Sequence, residues 1–404
     1  MIAVVGGTYN EKCFHPDVEL RFGSGLRACY SIRSLDKDVA VEFHTFSNEE
    51  NELHLKNFES IFDVKTFAYP SENSVGFYYD HPLRIPVISP RPDLIIKPAD
   101  LVMQQDHVLY YGFLEGNAQV TGKMVVYDPQ SPVKPIPFKQ TQSTADHLAV
   151  VINIKEAAII ASSKNVDEIR NYFFNEDGAE VLVIKMGAKG AMVFTAAGDS
   201  GVIPVYKTNS VYPIGSGDVF AAIFAYYWME GKIGALAAAE KASFFTAIYC
   251  NTRNYRFTSE KNKEEILPLN IKEFPTGQVY LAGPFFNYAQ KWVVNEIFDC
   301  LIGTGIKVFS PWHHVGVGEP DSNVARDDID GLEKCQVVFA IVDGLDSGTL
   351  FEIGYANKKG IPVIAYVENE KDTDLTMLIG TGCIIESDMT TAIYKCLWLL
   401  AENE

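Results

Sequence analysis

Short apolar, β-branched runs recur along the chain, and each ends at glycine or polar residues. Residues 181–184 (VLVI) lead into a glycine turn, and residues 337–342 (VVFAIV) lead into another. Stretches with helical spacing separate such runs, which is the pattern of β-α-β units. The chain is therefore predicted to be an α/β protein whose parallel sheets carry sites at the carboxyl ends of their strands.

A charged polar run, TSEKNKEE at residues 258–265, divides this pattern, and Pro268 and Pro275 follow it. Because 404 residues exceed what one hydrophobic core usually organises, we predict two domains, residues 1–257 and 277–404, joined by a linker at 258–276. Residues 80–98 are rich in proline and are predicted to form an irregular flap.

Composition narrows the functional classes. No apolar run reaches the roughly 18 residues that cross a bilayer, and the apolar start of the chain lacks a basic leader, so we expect a cytoplasmic protein without a membrane partner. A net charge of -18 disfavours nucleic acid polymers as partners but leaves small nucleotides open. Seven scattered cysteines without a C-x-x-C pair predict reduced, mostly buried thiols rather than disulfides or a zinc site.

In the C-terminal part of the chain, the apolar runs end near candidate catalytic residues. Residues 346–356 (DSGTLFEIGYA) predict a helix capped by Asp346 or Ser347, with Glu352 about one and a half turns in. Asp328, on a preceding helix, could reach the same sheet edge. Converging carboxylates suit glycosyl transfer, because its transition state needs a facing anion and its leaving group needs a proton. The alternative is a plain helix cap with Glu352 on a solvated face.

Three segments, beginning at Tyr280 (YLAGP), Asp328 (DIDGL) and Asp346 (DSGTLFEIGYA), resemble in order and spacing the nucleoside 2-deoxyribosyltransferase family. The resemblance covers most of residues 277–404 and implies a flavodoxin-like (Rossmann-type) parallel sheet that needs no cofactor. It implies that Glu352 is the nucleophile of a covalent deoxyribosyl intermediate, and that Asp346 and Asp328 handle the base and its proton. It also implies substrate contacts at Tyr280, Gly283, His314, Ser347 and Gly348.

The same family includes hydrolases that release the base from nucleoside monophosphates, so transfer and hydrolysis both remain open. The C-terminal element that completes the site in that family, often from a neighbouring subunit, is poorly matched around residues 374–377. We expect nucleosides or nucleotides as small-molecule ligands, and a homo-oligomer, dimeric or higher.

The N-terminal part of the chain carries a second group of candidate catalytic residues, in YPIGSGDVFAA at residues 212–222. Its glycines place amides at the start of a helix, where they can hold phosphoryl oxygens. Asp218 would then take a proton from an attacking hydroxyl group, as phosphoryl transfer requires. The anion hole would consist of Gly215, Ser216 and Gly217, and the alternative is a plain glycine-rich helix entry.

Further elements point the same way. Asn153 and Glu156 are suited to holding water around a magnesium ion. Residues 185–190 (KMGAKG) form a strand-to-turn loop that could pack against a nucleotide, and residues 22–28 could approach an acceptor hydroxyl. The cofactor contacts assigned to that loop are Lys185, Gly187, Lys189 and Gly190.

Together these segments resemble the ribokinase (PfkB) carbohydrate kinase family over residues 1–257. The resemblance implies a ribokinase-like α/β sandwich, ATP and Mg²⁺ as cofactors, and Asp218 as the catalytic base. It also implies the anion hole at residues 215–217 and magnesium organised by Asn153 and Glu156.

The chain departs from this family at three places. Tyr212 and Pro213 stand where aspartate and threonine are common, and Arg27 stands where asparagine is common. An early aspartate for sugar hydroxyls is not evident, unless Asn10 or Asp17 replaces it. These departures put the acceptor, and the activity of the kinase domain itself, in question.

The main hypothesis is a bifunctional nucleoside or nucleotide salvage enzyme, an ATP-dependent kinase fused to an enzyme that cleaves or transfers N-glycosidic bonds. One alternative is a nucleoside 5'-monophosphate hydrolase with a regulatory or silent kinase-like domain. A third is a nucleotide sensor in which neither domain turns over its ligand.

Overall fold

The computed structural model describes residues 1–131, 134–257, 266–269, 277–316 and 322–402. The chain forms two compact units, the first made of residues 1–208 and 212–270 and the second of residues 209–211 and 271–404. The division falls within the predicted linker, and the domain boundaries themselves stay a prediction.

The first unit is built on a ten-stranded sheet in the order β14-β13-β12-β11-β10-β9-β1-β4-β5, with β8 beside β10. Its strands pair in parallel except at β12-β13 and β13-β14, which are antiparallel. The strands of this sheet are β1 (Ile2–Val5), β4 (Val41–Ser47), β5 (Lys65–Pro70), β8 (Leu101–Gln104), β9 (His107–Tyr111), β10 (Ala118–Asp128), β11 (Thr144–Asn153), β12 (Val181–Lys185), β13 (Ala191–Thr195) and β14 (Ser200–Ile203).

Helices cover both faces of this sheet. Side chains alternate between the faces of a strand, so Val181 and Val183 enter one core cluster while Leu182 and Ile184 enter the other. The first cluster packs against α1 (Gly23–Leu35), α2 (Glu49–Phe62), α5 (Ser216–Met229) and α6 (Ala235–Thr252), and the second packs against α3 (Ile154–Ala161) and α4 (Val166–Asn175).

A smaller sheet of four strands has the order β3-β2-β6-β7. Its strands are β2 (Asn10–Cys13), β3 (Val18–Arg21), β6 (Gly76–Tyr79) and β7 (Val87–Ser89). Strand β7 lies inside the proline-rich segment 80–98, and a 3-10 turn at Pro92–Leu94 follows it. The predicted irregular flap is therefore partly regular, because β7 pairs with β6.

Part of the predicted linker also belongs to a sheet. Strand β16 (Leu267–Leu269) pairs with β15 (Val205–Lys207) in an antiparallel two-stranded sheet of the first unit. These three residues of the predicted linker therefore have regular structure, and the linker itself stays a prediction. Apart from residues 266–269, the rest of segment 258–276 lies outside the described residues.

The second unit has one five-stranded sheet in the order β18-β17-β19-β20-β21, and every pair is parallel. Counted within this unit the order is 2-1-3-4-5, which is the flavodoxin-like order and confirms the predicted fold class. Its elements are β17 (Gln278–Ala282), α7 (Tyr288–Gly303), β18 (Lys307–Phe309), α8 (Pro311–His314), α9 (Ser322–Leu332), β19 (Val337–Ile341), α10 (Ser347–Lys359), β20 (Val363–Tyr366), α11 (Thr376–Gly380), β21 (Ile384–Glu386) and α12 (Met389–Glu402).

Two further predictions concern the whole chain. The cysteines are mostly buried, as expected: Cys13, Cys29, Cys335, Cys383 and Cys396 are buried, and Cys250 and Cys300 are half-buried. Within the described ranges, the helices are too short or too polar to cross a membrane.

Two candidate active sites

Glu352 lies at the sheet edge where the strand order of the second unit reverses, between β17 and β19. Helix α10 begins there because Asp346 caps it: its Oδ2 accepts hydrogen bonds from the Thr349 amide at 2.8 Å and the Thr349 hydroxyl at 3.0 Å. The hydroxyl of Tyr280, a fully buried residue of β17, donates to Glu352 Oε1 at 2.5 Å. The fold thus brings two sequence-distant motifs into contact.

Like charges surround the Glu352 carboxylate. Burial raises the pKa of Glu352 to about 7, the hydrogen bond from Tyr280 lowers it, and the charges of Asp328 and Asp346 raise it. Burial, with Asp327, also raises the pKa of Asp328, whose Oδ1 is buried without a hydrogen-bond partner in the described part of the chain. The charges of Asp328 and Asp346 therefore act on Glu352, and the catalytic roles of the three carboxylates stay predictions.

The other predicted substrate contacts lie around this carboxylate group in different ways. Gly283 directly follows β17, and a Cβ there would lie 3.0 Å from Ile341, so close packing alone accounts for this glycine. Ser347 and Gly348 are exposed in the first turn of α10. Their amides belong to the positive end of that helix.

An aromatic column supports Tyr280 from one side. The ring of His314 stacks on Phe309 at 5.0 Å, and Phe309 stacks on Tyr280 at 5.6 Å. Nδ1 of His314 is 3.1 Å from the Ser310 carbonyl oxygen, so the histidine is oriented by its own turn. Substrate contact by His314 stays a prediction, and Phe309 is a supporting residue that the sequence reasoning missed.

The first unit has a cavity of about 670 Å³ that is lined by most of the predicted kinase residues. Lys189 and Gly190 do not line it; Gly190, at φ +84°, instead closes a turn in which its carbonyl accepts from the Met186 amide. The predicted residues in the lining are Asn153, Glu156, Lys185, Gly187, Gly215, Ser216, Gly217 and Asp218.

Asp218 is held from three directions at the start of α5. Its Oδ2 accepts from Arg27 Nη1 at 2.6 Å, its Oδ1 accepts from the Gln130 side-chain amide, and its backbone carbonyl accepts from the Tyr111 hydroxyl at 2.7 Å. Arg27 is only 1% exposed and also forms an ion pair with Glu11. The departure noted in the sequence at position 27 is therefore a direct partner of the predicted base.

Two further carboxylates, Asp128 and Glu156, line the cavity and act on each other electrostatically. Asp128 is fully buried and paired with Lys185, yet its Oδ1 has no hydrogen-bond partner among the described residues. Burial raises the pKa of Asp128 to about 6 even though Lys185 lowers it. Burial, and then the charge of Asp128, raise the pKa of Glu156 to about 7. A cation bound by the oxygens of Asp128 and Glu156 would offset the free-energy cost of burying their two negative charges.

Asn153 has a structural task that the sequence reasoning did not foresee. Its Oδ1 accepts from the Glu156 amide at 2.9 Å, and Glu156 Oε2 accepts from the Asn153 amide at 3.4 Å, which is a capping box for α3. In the described ranges no three His, Cys, Asp or Glu side chains cluster as a metal site. Asp128 and Glu156 do fit a hard cation that takes its remaining ligands from water and phosphate.

Three residues of this cavity were missed from the sequence: Glu11, Asp128 and Gln130. Asp128 ends the 11-residue strand β10, so the rule that sites lie at the carboxyl ends of strands could have found it. Gln130 follows two residues later in the same turn. Nothing in the local sequence marks Glu11.

Comparison with known proteins agrees with the division of the chain. The family model for pfkB family carbohydrate kinases matches residues 110–254, and the model for nucleoside 2-deoxyribosyltransferases matches residues 279–391. Both resemblances stated from the motifs are confirmed. The chain joins a PfkB-type kinase segment to a nucleoside 2-deoxyribosyltransferase-type segment.

Among curated proteins, a 5-dehydro-2-deoxygluconokinase from Listeria innocua is 28% identical over 123 residues, which are 26% of this chain and 38% of that protein. The 5-dehydro-2-deoxygluconokinase of Halalkalibacterium halodurans is 30% identical over 92 residues, 22% of this chain and 28% of that protein. The chain thus spans about a third of the length of these relatives.

Solved structures that are similar to the chain include two proteins named as kinases. Fructokinase from Vibrio cholerae O395, bound to fructose, ADP and calcium, has 13% identity and a TM-score of 0.46, over 63% of this chain and 95% of that one. Aminoimidazole riboside kinase from Salmonella enterica has 13% identity and a TM-score of 0.47, over 65% of this chain and 98% of that one.

Proposed function

We propose that the second unit breaks the N-glycosidic bond of a nucleoside or nucleotide, with Glu352 as the nucleophile. The observation that carries this proposal is the hydrogen bond from the buried Tyr280 hydroxyl to Glu352, at a sheet edge where Asp328 and Asp346 also act on that carboxylate. A flavodoxin-like sheet binds its ligands at this reversal of strand order.

The reaction proceeds in two steps. In the first, Glu352 bonds to the anomeric carbon as the bond to the base breaks, which leaves a covalent glycosyl ester. Asp328, whose pKa is raised by burial, supplies a proton to the departing base. In the second step, water or a second base attacks the ester and restores the free carboxylate.

The acceptor in the second step distinguishes a hydrolase from a transferase. The protein is incubated with 2'-deoxynucleosides, ribonucleosides and their 5'-monophosphates, with and without a second free base, and products are followed by mass spectrometry. Base release without an acceptor indicates hydrolysis, and formation of a new nucleoside indicates transfer. Absence of both in every reaction contradicts the proposal.

For the first unit we propose ATP-dependent phosphorylation of a hydroxyl group, with Asp218 as the base. Asp218 and the amides of residues 215–217 share the 670 Å³ cavity with Lys185. Amides at the start of α5 favour phosphoryl oxygens there, and Lys185 adds a positive charge.

Magnesium fits this proposal through Asp128 and Glu156, the two carboxylates whose pKa burial raises. When bound, the ion neutralises charge on the donor phosphates. Asp128 and Glu156 would hold it, while Asn153 fixes the start of α3 and thereby the position of Glu156.

ATP consumption tests this second activity. The protein is mixed with ATP, Mg²⁺ and either free pentoses, hexoses or nucleosides, and phosphorylated products are sought by mass spectrometry. Gain of one phosphate supports the kinase, and this activity together with base exchange would establish the bifunctional enzyme. Binding of ATP without any product would favour a silent domain instead.

A further inference from the structure

A buried ionic cluster lies directly behind the cavity of the first unit. Arg27, on α1, donates through Nη1 to Asp218 Oδ2 at 2.6 Å and to Glu11 Oε1 at 3.2 Å, and through Nη2 to the second oxygen of Glu11. Asp218 and Glu11 both line the cavity, but Arg27 does not. The guanidinium therefore supports both carboxylates from beneath without obstructing the space for an acceptor.

This arrangement makes the two oxygens of Asp218 different. Oδ2 is bonded to Arg27 behind the cavity, whereas Oδ1 accepts from the side-chain amide of Gln130, which itself lines the cavity. An acceptor hydroxyl that replaces this amide would meet Oδ1. One oxygen of Asp218 is thus held by a cation that cannot lose its charge.

The position of the guanidinium is fixed by close packing. A Cβ built on Gly215 would lie 2.1 Å from Arg27 Nε, and Gly215 has a φ of +77°. The first residue of the predicted anion hole is therefore glycine for two reasons, its backbone conformation and the Arg27 side chain against it. The cation lies beside the place where phosphoryl charge would develop.

We infer that Arg27 is a positioning residue for phosphoryl transfer, holding Asp218 by Oδ2 so that Oδ1 receives the proton of the acceptor hydroxyl. The inference rests on the proposed kinase function. In the step, the acceptor oxygen bonds to the γ-phosphorus of ATP, the bond from that phosphorus to the β-γ bridging oxygen breaks, and ADP leaves. The hydroxyl proton goes to Asp218 Oδ1.

The same cation accounts for the presence of a buried carboxylate at Glu11. Arg27 balances two carboxylates that would otherwise repel each other in a buried place, and loss of the cation would leave both without a countercharge. Because Arg27→Met alone would leave Glu11 buried and unpaired, the informative variant is the double substitution Glu11→Gln with Arg27→Met. Glu11→Gln alone is its reference, since it keeps the bond from Arg27 to Asp218.

The test measures kcat and the KM for ATP with D-ribose, 2-deoxy-D-ribose, D-fructose and 2'-deoxyadenosine as acceptors. Relative to Glu11→Gln, the double variant is expected to lose about 100-fold in kcat with little change in the KM for ATP, because a misplaced base slows chemistry more than donor binding. Arg27→Lys in place of Arg27→Met keeps the charge but not the planar fork. It should raise kcat about tenfold above that of the double variant.

A matched control lies on the same helix. Arg33 forms hydrogen bonds to backbone carbonyls away from the cavity, those of Lys37, Val39 and Phe62. Arg33→Met should lower the melting temperature and leave kcat unchanged. If Arg27 had only a structural role, its substitution would likewise lower the melting temperature and leave kcat unchanged.

The outcomes separate the inference from the proposed function. If the unaltered protein phosphorylates an acceptor and the double variant keeps the kcat of Glu11→Gln, the positioning role is refuted while the kinase stands. If the unaltered protein phosphorylates none of these acceptors, the proposed kinase fails and the positioning role falls with it. A large loss of kcat that Arg27→Lys partly restores supports both.

Discussion

Asp218 and Glu352 stand at similar places in two different sheets, each in the first turns of a helix that begins near a site at the sheet edge, yet their surroundings are opposite. Asp218 is bonded to a buried guanidinium and a side-chain amide. Glu352 is bonded to a phenol and lies near two further carboxylates. Under the two proposed functions, a carboxylate at a similar place would serve two chemistries, and its neighbouring charges would distinguish them.

The difference follows from what each reaction asks of its carboxylate. A base in phosphoryl transfer must hold its orientation next to phosphate charge, which a fixed cation assists. A glycosyl nucleophile must be reactive toward a cationic carbon, and a carboxylate with a pKa raised by burial and like charges is a stronger nucleophile once it is ionised. Substitutions at each of the two carboxylates test this difference.

The largest effect is expected for Glu352→Gln, which removes the nucleophile. Base release should fall by on the order of 10⁴-fold or more, because a side-chain amide cannot form the glycosyl ester. Phosphorylation by the first unit should be unaffected. The measurement is base release by liquid chromatography, with Glu333→Gln, an exposed carboxylate of the same unit, as the control.

Base release by Glu352→Gln above a tenth of the normal rate would show that another residue attacks the sugar. A similar loss in Glu333→Gln would instead indicate damage to the second unit as a whole.

Asp218→Asn should produce the next largest effect, a loss of about 10²- to 10⁴-fold in phosphorylation, the usual contribution of a general base. ADP should still stabilise the protein against heat, since the amides of residues 215–217 remain. Base release should not change. Asp199→Asn, an exposed residue of the same unit, is the control; equal losses in both variants would remove the contrast between the two carboxylates.

Tyr280→Phe should shift the pH dependence of base release. The hydrogen bond from Tyr280 lowers the pKa of Glu352, so its removal raises that pKa above about 7 and leaves less ionised carboxylate at neutral pH. If the pKa rises by about one unit, the rate at pH 7 should fall about fivefold and recover in part at pH 9. A uniform loss at every pH would assign Tyr280 to substrate contact rather than to tuning of Glu352.

The smallest effect concerns stability. The pKa of Glu352 is raised in the folded chain above its ordinary value of 4.5 to about 7, so the folded state holds its proton more tightly and loses stability as pH rises through this interval. Glu352→Gln should therefore raise the melting temperature more at pH 8 than at pH 5, by about 2 °C or more. Equal effects at both pH values would mean that Glu352 ionises normally.

Sequence reasoning could place those parts of the second candidate site that lie at a helix start or after a strand end. Asp346 caps α10 where the pattern placed a cap, and Glu352 and Asp328 follow from strands that end at one sheet edge. In the first unit the same reasoning placed Asp218 beside its glycines, since helix start and glycine turn are adjacent in sequence.

The partners of Asp218 could not be reached in this way. Glu11 occupies a buried position of β2, where alternation would favour an apolar residue, and it contacts Arg27 only once the small sheet has folded over α1. The strand Leu267–Leu269 was missed because Pro268 indicates a break, although a two-stranded sheet offers the edge positions that tolerate proline. Both features, the ion pair and the strand, depend on contacts between residues in different elements of the fold.

The most direct measurement is the search for the covalent intermediate on Glu352. The protein is mixed with a 2'-deoxynucleoside, quenched in acid within the first turnover and digested, and the peptides are sequenced by mass spectrometry. The peptide containing Glu352 should carry a deoxyribosyl ester in the unaltered protein and none in Glu352→Gln. Rapid base release with no adduct, or an adduct on another carboxylate, would contradict the account.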